Sequence, residues 1–368
     1  MNSLYIARTN HILEIDKPDI KQWGSISKMV GLNVSMIDRT GHLKMPIKFD
    51  IYQGFEMPDI NNSVNLSYEE CCDLRALEII KMSNDMNKPI KVMYSGGIDS
   101  TLVLISLMKH IPRHELKDKL VVSLSLDSIN ENPNFYFNYI RNNLRIVSSD
   151  NFGESLDSTY LIVGGEHNDQ LFGSDIVGKI YRSYDFTKIH DVYSRDYIVG
   201  WFEKNGISSV FANIWFDLID NQIKTVNKCQ VSTNFEFFWW LNFCFKWQTV
   251  FFRILTRLDK TVRTTIDQKF IDQHFIHFYS SVEFQRWSMM NPEKKIITDW
   301  KDYKFESKKL IFAFNNDYDY FKNKVKIGSL YRLFVQHDSV EAITTDWNFI
   351  EERYFNPEEF YNPNNSFK

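Results

Sequence analysis

The sequence predicts an α/β protein: a parallel sheet with flanking helices, followed by a mostly helical C-terminal region. Three observations carry this. Short apolar runs at 89–94 (PIKVMY), 119–126 (KLVVSLSL), 144–148 and 160–163 (YLIV) alternate with segments of helical spacing. Such alternation implies parallel strands joined by crossover helices. Two glycine-containing motifs directly follow the first and last of these runs, where ligands sit in such sheets. Beyond about Asp185 the strand signal fades, and aromatic and aliphatic residues recur with helical spacing to about Phe355.

Each element follows from its local pattern. Residues 1–65 mix strand-like runs with turn signals such as Arg39-Thr40-Gly41, and 44–52 alternates loosely as a strand does. Asn61-Asn62-Ser63 reads as a linker. A helix is expected over 68–86, with Cys72, Leu74, Leu77, Ile79, Ile80 and Met82 as its apolar face. Further helices are expected over 101–110 and 134–143. The organisation expected is a small N-terminal region (1–65), a nucleotide-binding α/β domain (66–185), a helical region (186–355) and a loose tail (356–368) carrying Pro357 and Pro363.

Composition narrows the class. The chain has 368 residues, 43% apolar and 24% charged, enough for a large core and more than one domain. Its net charge of −4 does not favour nucleic acid or an anionic membrane as partner. The greasiest window, 235–255, is broken by Glu236, Asn242, Lys246, Gln248 and Arg253, so it reads as buried helix and not as a span. Phe238, Trp239, Trp240 and Trp247 within it read as core. Cys71, Cys72, Cys229 and Cys244 show neither Cys-x-x-Cys nor zinc-ligand spacing and read as buried thiols. Residues 1–8 lack a basic stretch followed by an apolar run, so no signal peptide and a cytoplasmic location are expected.

The first motif is Ser95-Gly96-Gly97-Ile98-Asp99-Ser100-Thr101, lying between a strand and a helix. Two glycines allow a sharp turn and close approach of a ligand to the backbone. Turn N–H groups and the positive end of the helix make an anion cradle, to which Ser95, Ser100 and Thr101 add hydroxyls. Asp99 repels phosphate directly, and makes sense if Mg²⁺ lies between them. A bare Gly-Gly would be no more than a strand-to-helix turn. The full string resembles the pyrophosphate loop of the ATP-pyrophosphatase (adenine nucleotide alpha-hydrolase) superfamily.

The second motif, Gly164-Gly165-Glu166-His167-Asn168-Asp169-Gln170-Leu171-Phe172-Gly173-Ser174, follows the run at 160–163. It is similar to the Ser-Gly-Glu-Gly-x-Asp-Glu-Leu-Phe-Gly-Gly segment of the asparagine synthetase family. Glu166, Asp169, Leu171, Phe172 and Gly173 match. Gly164 replaces the serine, His167 a glycine and Gln170 the second acid. Alone, such an acidic loop is most often solvated. In the family's order it implies Asp169 as a second Mg²⁺ ligand beside Asp99, and Glu166 as proton acceptor or substrate positioner. His167 reads as a spacer.

Two lysine-bearing stretches resemble the family's C-terminal part. Lys308 matches the lysine of Lys-x-x-Leu-Arg, with Phe312 in the arginine's place. Lys326 and Gly328 match Arg-x-Lys-x-Gly-Phe, with Lys324 and Ser329 filling the arginine and phenylalanine positions. Adenylation builds negative charge at the α–β phosphate bridge, which fixed cations stabilise. Arg253, Arg257 and Asp259 offer only a weak further likeness.

The resemblance, covering about 89–329, implies an asparagine synthetase-like domain of adenine nucleotide alpha-hydrolase-like fold. It implies that ATP and a carboxylate form an acyl-adenylate with release of pyrophosphate, and that ammonia or an amine then attacks the adenylate, displacing AMP. The catalytic residues implied are Glu166, Lys308 and Lys326. ATP would contact Ser95, Gly96, Gly97, Asp99, Ser100, Thr101, Leu126, Gly164 and Gly165, with Mg²⁺ on Asp99 and Asp169. The partners expected are a small-molecule or peptide carboxylate and ammonia or an amine, with a separate amine-donor protein as an option. Asn2 follows Met1 and the first cysteine is Cys71, so no glutaminase nucleophile is expected. Two alternatives stay open: an ATP pyrophosphatase modifying a nucleobase or deazapurine carboxylate, and a nucleotide-binding protein without turnover.

Overall fold

The computed structural model describes residues 1–7, 9–31, 36–61, 63–150, 152–295, 299–324 and 340–365. Its strands are β1 (Ser3–Ile6), β2 (Ile90–Met93), β3 (Leu120–Leu124), β4 (Arg145–Ser148), β5 (Leu161–Gly164), β6 (Phe275–His277), β7 (Val340–Thr344) and β8 (Phe349–Glu351). The chain forms two compact units, each discontinuous in sequence.

One unit, Val64–Asn168 with Arg257–His337, is built on a five-stranded sheet in the order β4-β3-β2-β5-β6. All four pairings are parallel, with Val92 of the central strand between Val122 and Val163. Strands covered on both faces need uninterrupted apolar runs, and β3 and β5 are buried at every position. Lys91 is the exception in β2. Its amine donates to the Ser155 carbonyl at 2.8 Å, and burial pulls its pKa down.

Helix Ile98–His110 follows β2. Against it packs helix Tyr68–Met86, started by a capping box of Ser67 and Glu70 and ended by left-handed Asn87. Its buried face differs from the expected one. Tyr68, Cys72, Ala76, Ile79 and Ser83 are covered, while Leu74 and Leu77 stand about half exposed. The expected 134–143 helix resolves into a turn at Pro133–Phe135 and a wide helical turn at Tyr136–Ile140.

The other unit comprises Met1–Ser63, Asp169–Thr256 and Asp338–Lys368. Its small sheet, order β1-β7-β8, is antiparallel and joins the two ends of the sequence. Among the described residues the 186–355 region is mostly helical, as expected, and is interrupted by the short strands β6, β7 and β8. Residues 44–52 form isolated bridges, Ile47 to Tyr361 and Phe49 to Ser3, instead of a strand; Pro46 in their midst has no N–H to give a ladder. The expected loose tail is also corrected. Phe360 is fully buried and its carbonyl accepts from Lys48 N at 2.8 Å.

The greasy window becomes helices Asn234–Phe245 and Trp247–Phe252, buried on all sides as a helix apolar all round must be. Trp239 donates to the Leu171 carbonyl at 3.1 Å and Trp240 to Gln222 at 2.9 Å, so both indole N–H groups are satisfied. Buried Arg39 lies over Trp247, 4.5 Å from the ring centre, and loss of water lowers its pKa to about 9. Among the described residues no helix is long and apolar enough to cross a membrane. The four cysteines are buried and none is in a disulfide.

Candidate functional site

The loop after β2 is shaped by its glycines and serines. Gly96 has φ +78, and a Cβ there would come 2.2 Å from the Ser128 carbonyl oxygen, so only glycine fits. Gly97 caps helix Ile98–His110 with extended backbone and without a side-chain bond, leaving the first-turn N–H groups to other acceptors. The Ser100 hydroxyl accepts from Ser95 N at 3.1 Å and lies 3.1 Å from the Ser95 hydroxyl, while Gly97 N donates to Ser95 Oγ at 3.3 Å. Thr101 is fully buried beneath the turn. Backbone donors, hydroxyls and a helix N-terminus together suit an anionic ligand.

The loop after the neighbouring strand β5 meets this turn. A Cβ on Gly165 would sit 3.3 Å from Ser100 N and 3.5 Å from the Asp99 carbonyl carbon, so its glycine permits close approach of the two loops. Gly164 serves packing: a Cβ there would lie 2.6 Å from His277 Nδ1 on β6. His167 is buried at φ +78, where the family's motif has glycine, with its ring 5.3 Å from that of His277. Glu166 is half-buried on the same loop.

Asp99 is the centre of a polar cluster. Lys304 Nζ donates to both its carboxylate oxygens, at 2.6 and 2.5 Å, and Asn168 Nδ2 to Oδ1 at 2.7 Å. Tyr279 donates to the Asp99 carbonyl at 2.9 Å. The lysine side chain is 3% exposed and the aspartate 27%, so the carboxylate is the wet end of a dry cluster. Asn168 is held in turn by Tyr68 and Ser307. Burial, with Asp99 adding to it, pushes both tyrosine hydroxyls well up, so they stay protonated donors.

A second ion pair lies beside the turn. Lys324 Nζ is 3.0 Å from Glu131 Oε1, both side chains 7% exposed, and that oxygen comes 3.5 Å from where a Gly97 Cβ would be. Leu126, the first residue of helix Leu126–Glu131 at the end of β3, is among the most exposed apolar residues.

Of the residues singled out in the sequence, Ser95, Gly96, Gly97, Asp99, Ser100, Thr101 and Gly165 come together. Lys308 is buried one helical turn beyond Lys304, its amine donating to the Lys301 carbonyl, and burial lowers its pKa. Lys326, with Gly328 and Ser329, lies outside the described residues. Asp169 is half-buried and belongs to the other unit, whose second segment begins at that residue. There Gly173, at φ +71, packs 3.0 Å from Trp239 by its would-be Cβ, and Gln170 Nε2 donates to Asn242 at 3.5 Å.

Lys304, Asn168, Tyr68, Ser307 and Tyr279 are additions from the structure. Asn168 occupies the variable position of the second motif, and Lys304 precedes Lys308 by four residues, so both were adjacent to a visible signal. Nothing local marks the two tyrosines or the serine. Comparison with family models, curated proteins and solved structures returns no match.

Proposed function

We propose that this chain binds ATP at the Ser95–Ser100 turn and activates a carboxylate as its adenylate, releasing pyrophosphate, before ammonia or an amine displaces AMP and forms an amide. This is the chemistry of asparagine synthetase-like members of the ATP-pyrophosphatase superfamily. The observation that carries the reading is the turn itself. It lies after the central strand, under the loop of the adjacent strand, with Asp99 and Lys304 at its edge. Switch points at strand ends are where such sheets bind ligands.

The residues present fit a nucleotide's phosphates. Gly96 and Gly97 leave the backbone open to them, Ser95 and Ser100 supply hydroxyls, and Lys304 is a dry cation within reach of Asp99. In this reading Lys304 joins Lys308 and Lys326 among the candidates for stabilising charge that builds as the α–β bridge breaks. Glu166 accepts a proton from the incoming amine. Asp99 would be the Mg²⁺ ligand in this unit, and Asp169 remains the sequence's second candidate. Mg²⁺, when bound, neutralises the leaving pyrophosphate.

The test is product analysis with ATP labelled at the α and γ positions, in the presence of a panel of carboxylic acids. AMP and pyrophosphate formed only with a particular acid are expected. ADP and orthophosphate as products would overturn the reading.

A further inference from the structure

The side chain of Asn168 has a determined orientation. Its Nδ2 donates to Asp99 Oδ1 at 2.7 Å and to Ser307 Oγ at 3.1 Å, and its Oδ1 accepts from the Tyr68 hydroxyl at 2.7 Å. Because the single phenolic proton goes to the amide oxygen, the 3.0 Å contact between Tyr68 and Ser307 is a bond that Ser307 donates. The three residues therefore close a directed ring. Asn168 and Ser307 are fully buried and Tyr68 nearly so. A flipped amide would turn its oxygen on the Asp99 carboxylate and its NH₂ on a donor, both unfavourable at a fully buried amide.

We propose that Tyr68 and Ser307 are positioning residues: through the Asn168 amide they hold the Asp99 carboxylate in the rotamer that also takes Lys304. This rests on the reading of Asp99 as the acid of the nucleotide site. Tyr68 lies on helix Tyr68–Met86, Asn168 at the start of the short helix Asn168–Phe172 after β5, and Ser307 on helix Phe305–Asn315. Three separate elements thus meet at the one amide that donates to Asp99 Oδ1. Elsewhere the cost of a buried polar ring is hard to justify by stability alone, since apolar packing serves as well. Aiming a ligand is a use for it.

The experiment is a double-mutant cycle read by urea denaturation, which needs no activity. Tyr68→Phe removes the proton that orients the amide. Its cost is expected to fall when Asp99→Asn removes the carboxylate that a flipped amide would face. The double variant then loses less than the sum of the single losses. In an Asn168→Ala background the coupling should vanish, because the route runs through that amide. Ser307→Ala repeats the test at the other end, and Ser307→Thr, which keeps the hydroxyl, should show neither the loss nor the coupling. With the pyrophosphate-releasing protein, Tyr68→Phe should raise the Mg²⁺ concentration for half-maximal rate by roughly 10-fold or more, as lost support of a metal ligand does.

Additive losses in the Tyr68–Asp99 cycle, or coupling that persists without Asn168, would overturn the proposal. So would a Tyr68→Phe protein that loses stability but keeps the wild-type Mg²⁺ requirement. Absence of pyrophosphate from the wild-type chain would sink the nucleotide reading alone, while the cycle still decides the positioning ring.

Discussion

Lys304 carries two structural effects of opposite sign, and substituting it separates them. Its amine grips both Asp99 oxygens with the lysine 3% exposed, yet its backbone sits at φ +52, which residues other than glycine disfavour. Removing one member of a buried ion pair costs about 3–5 kcal/mol. Asp99 is 27% exposed and keeps the Asn168 bond, so the expected loss for Lys304→Ala is smaller, about 2–3 kcal/mol. Lys304→Gly loses the same pair but relieves the left-handed backbone, recovering about 1 kcal/mol. Glycine should therefore be the milder substitution, against the usual order within a helix. For a unit of this size each kcal/mol moves the thermal midpoint by roughly 2–4 °C, so the alanine variant should fall by roughly 4–12 °C. Urea denaturation of both variants, repeated in an Asp99→Asn background, is the assay. The alanine loss should shrink there, because no carboxylate is left uncompensated. An alanine variant as stable as the glycine variant, or an undiminished loss in the Asp99→Asn background, would refute this account.

Other outcomes follow from single contacts. Gly164→Ala should cost about 1–3 kcal/mol by overpacking against His277, and His277→Ala should suppress most of that loss in the double variant. Lys308 binds its proton more weakly folded than unfolded, so its contribution to stability should grow as pH rises from its lowered folded value toward the ordinary 10.5. From pH 8 to pH 10 the denaturation midpoint should therefore rise less, or fall more, in Lys308→Met than in the wild type. A thiol-reactive maleimide should label no cysteine in the native protein. All four are buried, burial pushes Cys71 up to about 12, and Cys72 and Cys244 are raised well above the ordinary thiol range; rapid native labelling would contradict this.

The parts of the site legible in sequence are those whose signal is local. The turn at Ser95–Ser100 could be read because an apolar strand, two glycines and a helix start follow one another in a dozen residues. Strands β2, β3 and β5 announced themselves as apolar runs, since a sheet covered on both faces admits little else. The helices around Trp239 and Trp247 were legible as core because no exposed face was left to them.

What local pattern could not reveal is what depends on partners far along the chain. Strand β6 is three residues long between segments of helical spacing, and it is a strand because β5 offers an edge. The exposed side of helix Tyr68–Met86 was misread because Leu74 and Leu77 look like core until the neighbouring helix takes the other face. Residues 44–52 and the tail exchange roles for the same reason: the tail supplies the contacts that 47 and 48 use. The acid Asp99 could be picked from its motif, whereas Lys304, 205 positions away, could not. A buried cation such as Lys304 must find a carboxylate wherever folding brings one. Composition and periodicity thus determined the sheet, the turn and the apolar core, which depend on burying neighbouring residues. Tertiary structure alone decided which distant polar groups close around Asp99, because that depends on leaving no buried charge or hydrogen-bonding group without compensation.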